Sequence, residues 1–508
     1  VFEDEPTTVE LSKTDLTTGE ELPGARLQLT DENGAVVEEW TSTKEPHIIK
    51  ELVVGKSYTL TETKPADGYA TAESITFTVE NTAEIQKQVM EDDVTKVKIS
   101  KTDITGDNEI EGAKLTIIDE NGNIVETWTS GKEPHYIEKL PIGKYTLKEE
   151  QAPNGYVVAE EITFEVADTA EIQKVEMKDD VPTGTLIINK KGEFLEDVTL
   201  VDTIGGWISH LFKYITGTLK DVTFEVYALE DIQSADGESE DHYKKDELIA
   251  TITTDETGIA KLSDLPLGRY YVKEKETAEG YVLDEEIREI DLTYVDQDTA
   301  EVTWNGDWQN NRQKVEVSVL KKEKDTDRVL EGAVFALSAK DDITNRDGDV
   351  VLEAGTVIEE KATGEDGKLT FEADLPIGFS YVVKETSPAP GFATTDEVQE
   401  FTFTAESSDK ATVSYEFIFE DEPTVFEFTK TSLTDGKEVE GAKLTVTDEN
   451  GEVVDEWVSG KEPHIIKELV VGQTYTMTEV LPAPGYVTAE SIQFTVEDTA
   501  EVQKVEMK

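Results

Sequence analysis

Four lysines stand eleven residues before the glycine of a Gly-Ala pair: Lys13 before Gly24, Lys101 before Gly112, Lys321 before Gly332 and Lys430 before Gly441. Val9, Leu11 and Lys13 alternate with polar neighbours, so in a strand the lysine shares the apolar face and points inward. Leu186 and Ile188 give Lys190 the same phase and select it over Lys191. A glutamate falls on the apolar phase of a later strand, in the order Glu62, Glu149, Glu274, Glu385 and Glu479. The last strand of units one to four ends on an acid or amide in that phase: Met90-x-Asp92, Met177-x-Asp179, Trp308-x-Asn310 and Phe419-x-Asp421. Burying an unpaired charge is costly, so the plain reading is a paired, neutralised structural cluster. The sharper reading is a covalent bond. Desolvation favours neutral amine and neutral acid, a nucleophile beside an electrophile, and a neighbouring glutamate can shuttle the proton. The product is an intramolecular isopeptide bond, with loss of water from Asp or ammonia from Asn.

The elements that must position these groups repeat along the chain. Residues 44–55 and 461–472 both read KEPHIIKELVVG, and 132–143 read KEPHYIEKLPIG. Around each copy the same blocks recur in order, and DLPLGRYYVKE (264–274) and DLPIGFSYVVKE (374–385) mark the matching strand in two divergent units. Repeats of this kind define the architecture before any local feature does. Five units result, starting near Val9, Val97, Leu186, Val315 and Val425. Their runs alternate apolar with polar residues and are bounded by D-E-N-G, G-A and P-x-G turns, the pattern of short strands. Asn33-Gly34, Asn121-Gly122 and Asn450-Gly451 predict hairpins in which both central residues take positive φ. The reading is all-β: a tandem array of five Ig-like or transthyretin-like β-sandwich domains. The spans are 7–93, 94–180, 181–312, 313–422 and 423–508, with 1–6 as the closing strand of a preceding domain. The joints Asp4-Glu5-Pro6-Thr7, Asp180-Val181-Pro182-Thr183 and Asp421-Glu422-Pro423-Thr424 are short and stiffened by proline.

Composition narrows function. Against 47 Lys plus Arg stand 112 Asp plus Glu, a formal net charge of −65 over 508 residues. Such a charge repels nucleic-acid phosphates and anionic lipid, and no apolar run reaches the length of a membrane span. There is no cysteine, which excludes disulfides, thiolate metal sites and Cys nucleophiles. No P-loop, G-x-S-x-G or H-E-x-x-H pattern appears, and no cofactor is implied. His47, His135 and His464 recur at one place per unit and read as satisfied loop histidines. Asp342 to Asp349 resembles a calcium loop in acid spacing but lacks a glutamate at the twelfth position, so it reads as a solvated hairpin. In unit three, 199–217 breaks the pattern: Ile204, Ile208, Leu211 and Ile215 recur at helical spacing beside Trp207 and Tyr214. This predicts a short amphipathic helix packed on the sandwich or at a joint, the alternative being a ligand or partner contact.

These residues resemble a known family. S-K-T-D-x-T (12–17), G-A-x-L (24–27), Y-T-L-x-E-x-x-A-P-x-G-Y (145–156) and the closing M-x-D (177–179), in order and repeated over all five units, are similar to the B-type repeats of collagen adhesins and SpaA-type pilins of Gram-positive bacteria. The resemblance implies self-formed Lys–Asp or Lys–Asn bonds with a catalytic Glu. It also implies a secreted, cell-wall-anchored stalk, pilus shaft or adhesin. Two departures, Lys64-Pro65-Ala66-Asp67 and Thr277-Ala278-Glu279, are expected not to touch the triads. Unit five has no acid two places after Met507, while Asp4 stands nine residues before Lys13 as Asp421 does before Lys430. Asp4 therefore reads as the closing residue of a preceding domain in a longer array; the alternative is head-to-tail assembly, with Asp4 of one copy reaching Lys430 of the next. The expected function is an extracellular structural stalk whose partners are neighbouring copies or domains of the same surface protein. The rivals are an adhesin that grips a host or carbohydrate ligand through Trp207–Ile215 and, more distantly, a turnover enzyme.

Overall fold

The computed structural model describes residues 4–508 except 105, 107, 203–205, 236, 238 and 239. Among the described residues every regular element is a β-strand, and no helix is long and apolar enough to cross a membrane. Unit one comprises β1 (Thr8–Asp15), β2 (Arg26–Asp31), β3 (Val36–Thr41), β4 (His47–Lys50), β5 (Ser57–Lys64), β6 (Ile75–Thr78) and β7 (Gln86–Asp92). They form two sheets, β4-β1-β7 and β3-β2-β5-β6. Inward residues of both, among them Val9, Leu11, Leu27, Leu29, Leu60 and Met90, interdigitate as the core. The first strand is central in its sheet and parallel to the last, with Lys13 opposite Met90 and Asp15 opposite Asp92. This pairing brings the two ends of each unit side by side.

Units two and five repeat the plan. Their first strands, Lys96–Asp103 and Val425–Lys430, lie beside Ile172–Asp179 and Val502–Met507. Unit four pairs Lys314–Glu323 with Thr412–Asp421 in the same way.

Unit three departs from the expected helix. Its first strand runs on from Thr183 to Asp202, and Ile208–Thr218 returns antiparallel to it, so 199–202 and 208–217 pair in a long β-ribbon. Ile204 lies outside the described residues. A spacing of three and four does not distinguish a helix from a two-faced ribbon in a β-branched, aromatic stretch. Phe212 and Tyr214 point to one face and join the core of unit four with Leu195, while Leu211 and Ile215 are exposed on the other. The ribbon meets unit four at Ser209↔Glu359 and continues its Val357–Ala362 sheet; Tyr214 Oη donates to the Asp374 carbonyl at 2.8 Å. The insertion thus buries part of its apolar surface at a domain joint, as a ribbon rather than a helix.

The Asn-Gly turns also differ in detail. Gly34, Gly122 and Gly451 have φ of 79°, 84° and 81°, but the asparagines before them are not left-handed. The Asp31 carboxylate accepts from the Asn33 and Ala35 amides at 2.9 Å, which holds a turn needing only the glycine at positive φ.

Candidate functional site

Strand parity places the predicted side chains together. In unit one Lys13, Glu62 and Asp92 are buried between the sheets. Lys13 Nζ hydrogen-bonds to Asp92 Oδ1 and lies 3.1 Å from Glu62 Oε1, and the other glutamate oxygen accepts from the Ala72 amide at 2.7 Å. Unit two repeats this: Lys101 bonds to Asp179 and lies 3.1 Å from Glu149, which accepts from the Ala159 amide at 2.6 Å. In unit four Lys321 bonds to Asp421 and lies 2.8 Å from Glu385, itself held by the Thr395 amide at 2.9 Å. One glutamate oxygen is fixed by backbone and the other faces the lysine. Burial pushes the Asp92, Asp179 and Asp421 carboxyls up to about 7, against the pull of the adjacent lysine. The second oxygen of each aspartate is buried and has no hydrogen-bond partner.

Unit three is arranged differently. Lys190 Nζ donates to Glu274 Oε2 at 2.7 Å, and the Asn310 amide donates to Glu274 Oε1 and to Thr277 Oγ1, the latter at 2.7 Å. Asn310 Oδ1 is buried without a hydrogen-bond partner, so the lysine bonds to the glutamate and not to the amide. Desolvation lowers the Lys190 pKa, opposed by Glu274. The Thr277 contact corrects an expectation: this departure from the P-x-G pattern touches the triad directly, because Thr277 follows Glu274 at the strand end and reaches across to Asn310. The Lys64–Asp67 departure supplies no triad group.

Unit five holds Lys430, buried, 3.6 Å from Glu479, whose other oxygen accepts from the Ala489 amide at 2.6 Å. Asp4 is exposed in coil ahead of β1.

The remaining candidates have structural partners. His47, His135 and His464 open a strand in each unit rather than lying in a loop, and each stacks on a tryptophan (Trp40, Trp128, Trp457) at 4.2–4.3 Å. Each also pairs with an acid: Glu38, Glu126 or Asp455. In the Asp342–Asp349 segment the Asn345 side chain ties the turn by accepting from the Asp347 and Asp349 amides at 3.0 and 2.9 Å. Among the described residues no group of His, Cys, Asp and Glu has the geometry to hold a metal ion.

Comparison with known proteins also finds five repeated segments, the third of them beginning at residue 214. The family described as SpaA, prealbumin-like fold domain, matches residues 7–93, 95–181, 214–308, 315–416 and 424–508. Among solved structures, the Bacillus anthracis TIE protein is similar at 21% identity, over 82% of this chain and 74% of that one, with a TM-score of 0.47. A streptococcal ancillary pilin is similar at 17% identity, over 65% of this chain and 98% of its own, with a TM-score of 0.23. BcpA, the major pilin subunit of Bacillus cereus, is similar at 13% identity over 65% and 99%, with a TM-score of 0.26. No curated protein sequence matches. With five matched segments that together span most of its length, the chain belongs to the SpaA prealbumin-like fold family.

Proposed function

We propose that this chain is a structural stalk or fibre segment of a Gram-positive cell-surface protein, and that its units are locked by isopeptide bonds they form themselves. The observation behind the reading is the lysine, buried in units one to four on the strand that pairs with the last one, beside an Asp or Asn and a glutamate. In unit one the neutral Lys13 amine attacks Cγ of protonated Asp92. A C–N bond forms and a C–O bond breaks, while Glu62 Oε1 takes the Nζ proton and returns it to the departing hydroxyl, which leaves as water. The unpartnered Asp92 Oδ2 is suited to carry that hydroxyl proton. In unit three Glu274, bonded to both Lys190 and Asn310, passes the proton to the amide nitrogen and ammonia leaves. Each bond forms once, so the chain is not a turnover enzyme. Acidic self-repulsion keeps the stalk extended and soluble on the cell exterior. The partners are adjoining domains or copies of the same surface protein.

Intact mass of the denatured chain with peptide mapping tests this. The expected result is a deficit of three waters and one ammonia, with links at Lys13–Asp92, Lys101–Asp179, Lys190–Asn310 and Lys321–Asp421. A full, unreduced mass overturns the self-locking reading. The same map shows whether Lys430 is free or tied to Asp4 of another copy, which decides between an array segment and head-to-tail assembly.

A further inference from the structure

Two joints between units are built alike to within 0.1 Å in their backbone bonds. Between units one and two, the Thr95 amide donates to the Gly68 carbonyl and the Lys139 amide to the Thr95 carbonyl, both at 3.0 Å. Between units four and five, Thr424, Gly391 and Glu468 make the same two bonds at 3.0 Å. Lys139 and Glu468 occupy one position of the repeat, the left-handed residue before a buried leucine, with φ of 65° and 64°. A Cβ on Gly68 would come within 2.5 Å of Lys139, and one on Gly391 within 2.8 Å of Glu468, so the glycine is what allows the close approach. At the far edge of each joint a threonine clamps an aspartate, Thr71 with Asp168 and Thr394 with Asp498, at 2.6–2.8 Å.

The charge at that position is reversed between the two joints. Lys139 faces an acidic end: its Nζ lies 2.7 Å from Tyr69 Oη and 3.2 Å from Asp15. Glu468 faces a basic end: Arg328 donates to both its oxygens at 2.6 and 2.9 Å. The joint between units three and four is a third case, where Asp374, aligned with this position before buried Leu375 but without the left-handed backbone, pairs with Arg312. At the joint between units two and three, acids of both units line one cavity. Asp264, left-handed at φ 59°, lines a 720 Å³ cavity that Asp103 and Asp180 also line. There the units touch at the other edge, through the Val158 amide and the Gln297 carbonyl at 2.9 Å, and a Cβ on Gly155 would meet nothing within 4 Å.

We propose that the leading face of each unit is a docking site for the trailing face of another unit of this fold, and that the charge at this one position selects which trailing face it accepts. Lys139 accepts an acidic end and Glu468 or Asp374 a basic one, so unit two would meet like charge behind unit four, and unit five behind unit one. Opposite charge closes the joint and like charge leaves it open. Glu51, at φ 64° in the same position, places the leading face of unit one with that of unit five: it fits a unit whose end is basic where unit four has Arg328.

The test is amide hydrogen exchange in the full chain, read at the joint amides. Glu468→Arg or Arg328→Glu alone should speed exchange of the Thr424 and Glu468 amides by about fivefold, and the double swap should restore it. Asp264→Lys should slow exchange at Val158 by opposing Asp103. Unchanged exchange in the single variants, failure of the double swap to restore it, or no slowing in Asp264→Lys would each overturn the charge code. Intact mass of the same variants reports the isopeptide links separately, so loss of a link is not mistaken for loss of a joint.

Discussion

Unit three differs from units one, two and four in two places, its site and its edge. In the three aspartate units the lysine touches the acid directly and the glutamate stands to the side, one oxygen tied to backbone. In unit three the glutamate lies between lysine and amide and bonds to both. At the edge, the first strand of unit one stops at Asp15, whereas that of unit three runs on to Asp202 and carries a ribbon into the next unit. Under the proposed chemistry the glutamate relays a proton from either geometry, and that reading requires only one carboxylate oxygen facing Nζ.

The largest expected effect comes from removing that oxygen. Glu62→Ala, Glu149→Ala or Glu385→Ala should each leave one water unlost and cost the unit about 4 kcal/mol, since the bond closes a loop of 78 to 100 residues. Glu274→Ala should retain the ammonia in unit three by the same logic. If unit three still links while the aspartate units do not, the shared role for the glutamate is wrong. Thermal unfolding followed by mass analysis reads both quantities.

The edge gives the next effect. Phe212 is buried in the core of unit four although it belongs to unit three, and Leu211 beside it is exposed. Phe212→Ala should therefore destabilise unit four by about 3 kcal/mol, and Leu211→Ala should change stability by under about 0.5 kcal/mol. Equal effects would mean the ribbon does not dock as described. A loss of ligand binding in Leu211→Ala without loss of stability would instead favour the adhesin reading.

The third effect depends on pH. Lys13→Met prevents the bond and leaves Asp92 as a buried acid whose pKa burial raises. A carboxyl raised on folding contributes stability below its unfolded pKa and loses it as pH rises through the folded value. Lys13→Met should thus make unit one less stable at pH 8 than at pH 5, by about 1–2 kcal/mol. Lys190→Met retains its glutamate too but has Asn310, which does not titrate, so unit three should lack the aspartate component. Equal slopes in chemical denaturation across this range would remove burial of the aspartate as the cause.

The triads were legible because a strand has period two: once Val9 and Leu11 define the inward face, Lys13 has one place to go, and fixed offsets carry the assignment to the other units. The ribbon was not legible, because Ile208, Leu211 and Ile215 satisfy a helix by spacing and a strand by residue type, and the surface that decides lies in unit four, across Ser209 and Glu359. Thr277 was missed because it was weighed as a lost proline and not as a gained hydroxyl. The joint charges had a signal in the repeats, Glu-Lys-Leu at 138–140 against Lys-Glu-Leu at 50–52 and 467–469, but its meaning needed the facing unit.

The smallest expected effect is the most exact test of the contrast in the sites. Linking Lys190 to Asn310 releases ammonia, and linking it to an acid in that place releases water, yet the amide left behind is the same group. Asn310→Asp should therefore give a linked chain with the mass and thermal stability of the wild type, although the unlinked chains differ as an acid differs from an amide. The substitution also replaces the two donors that now reach Glu274 and Thr277 by at most one hydroxyl proton. Bond formation should accordingly depend on pH in the variant, being fastest where the new carboxyl is neutral, and the product should not. Masses that differ only as an acid differs from an amide would show that neither preparation is linked and that unit three holds only a buried polar cluster, and the comparison with the aspartate units would then be one of packing and not of chemistry.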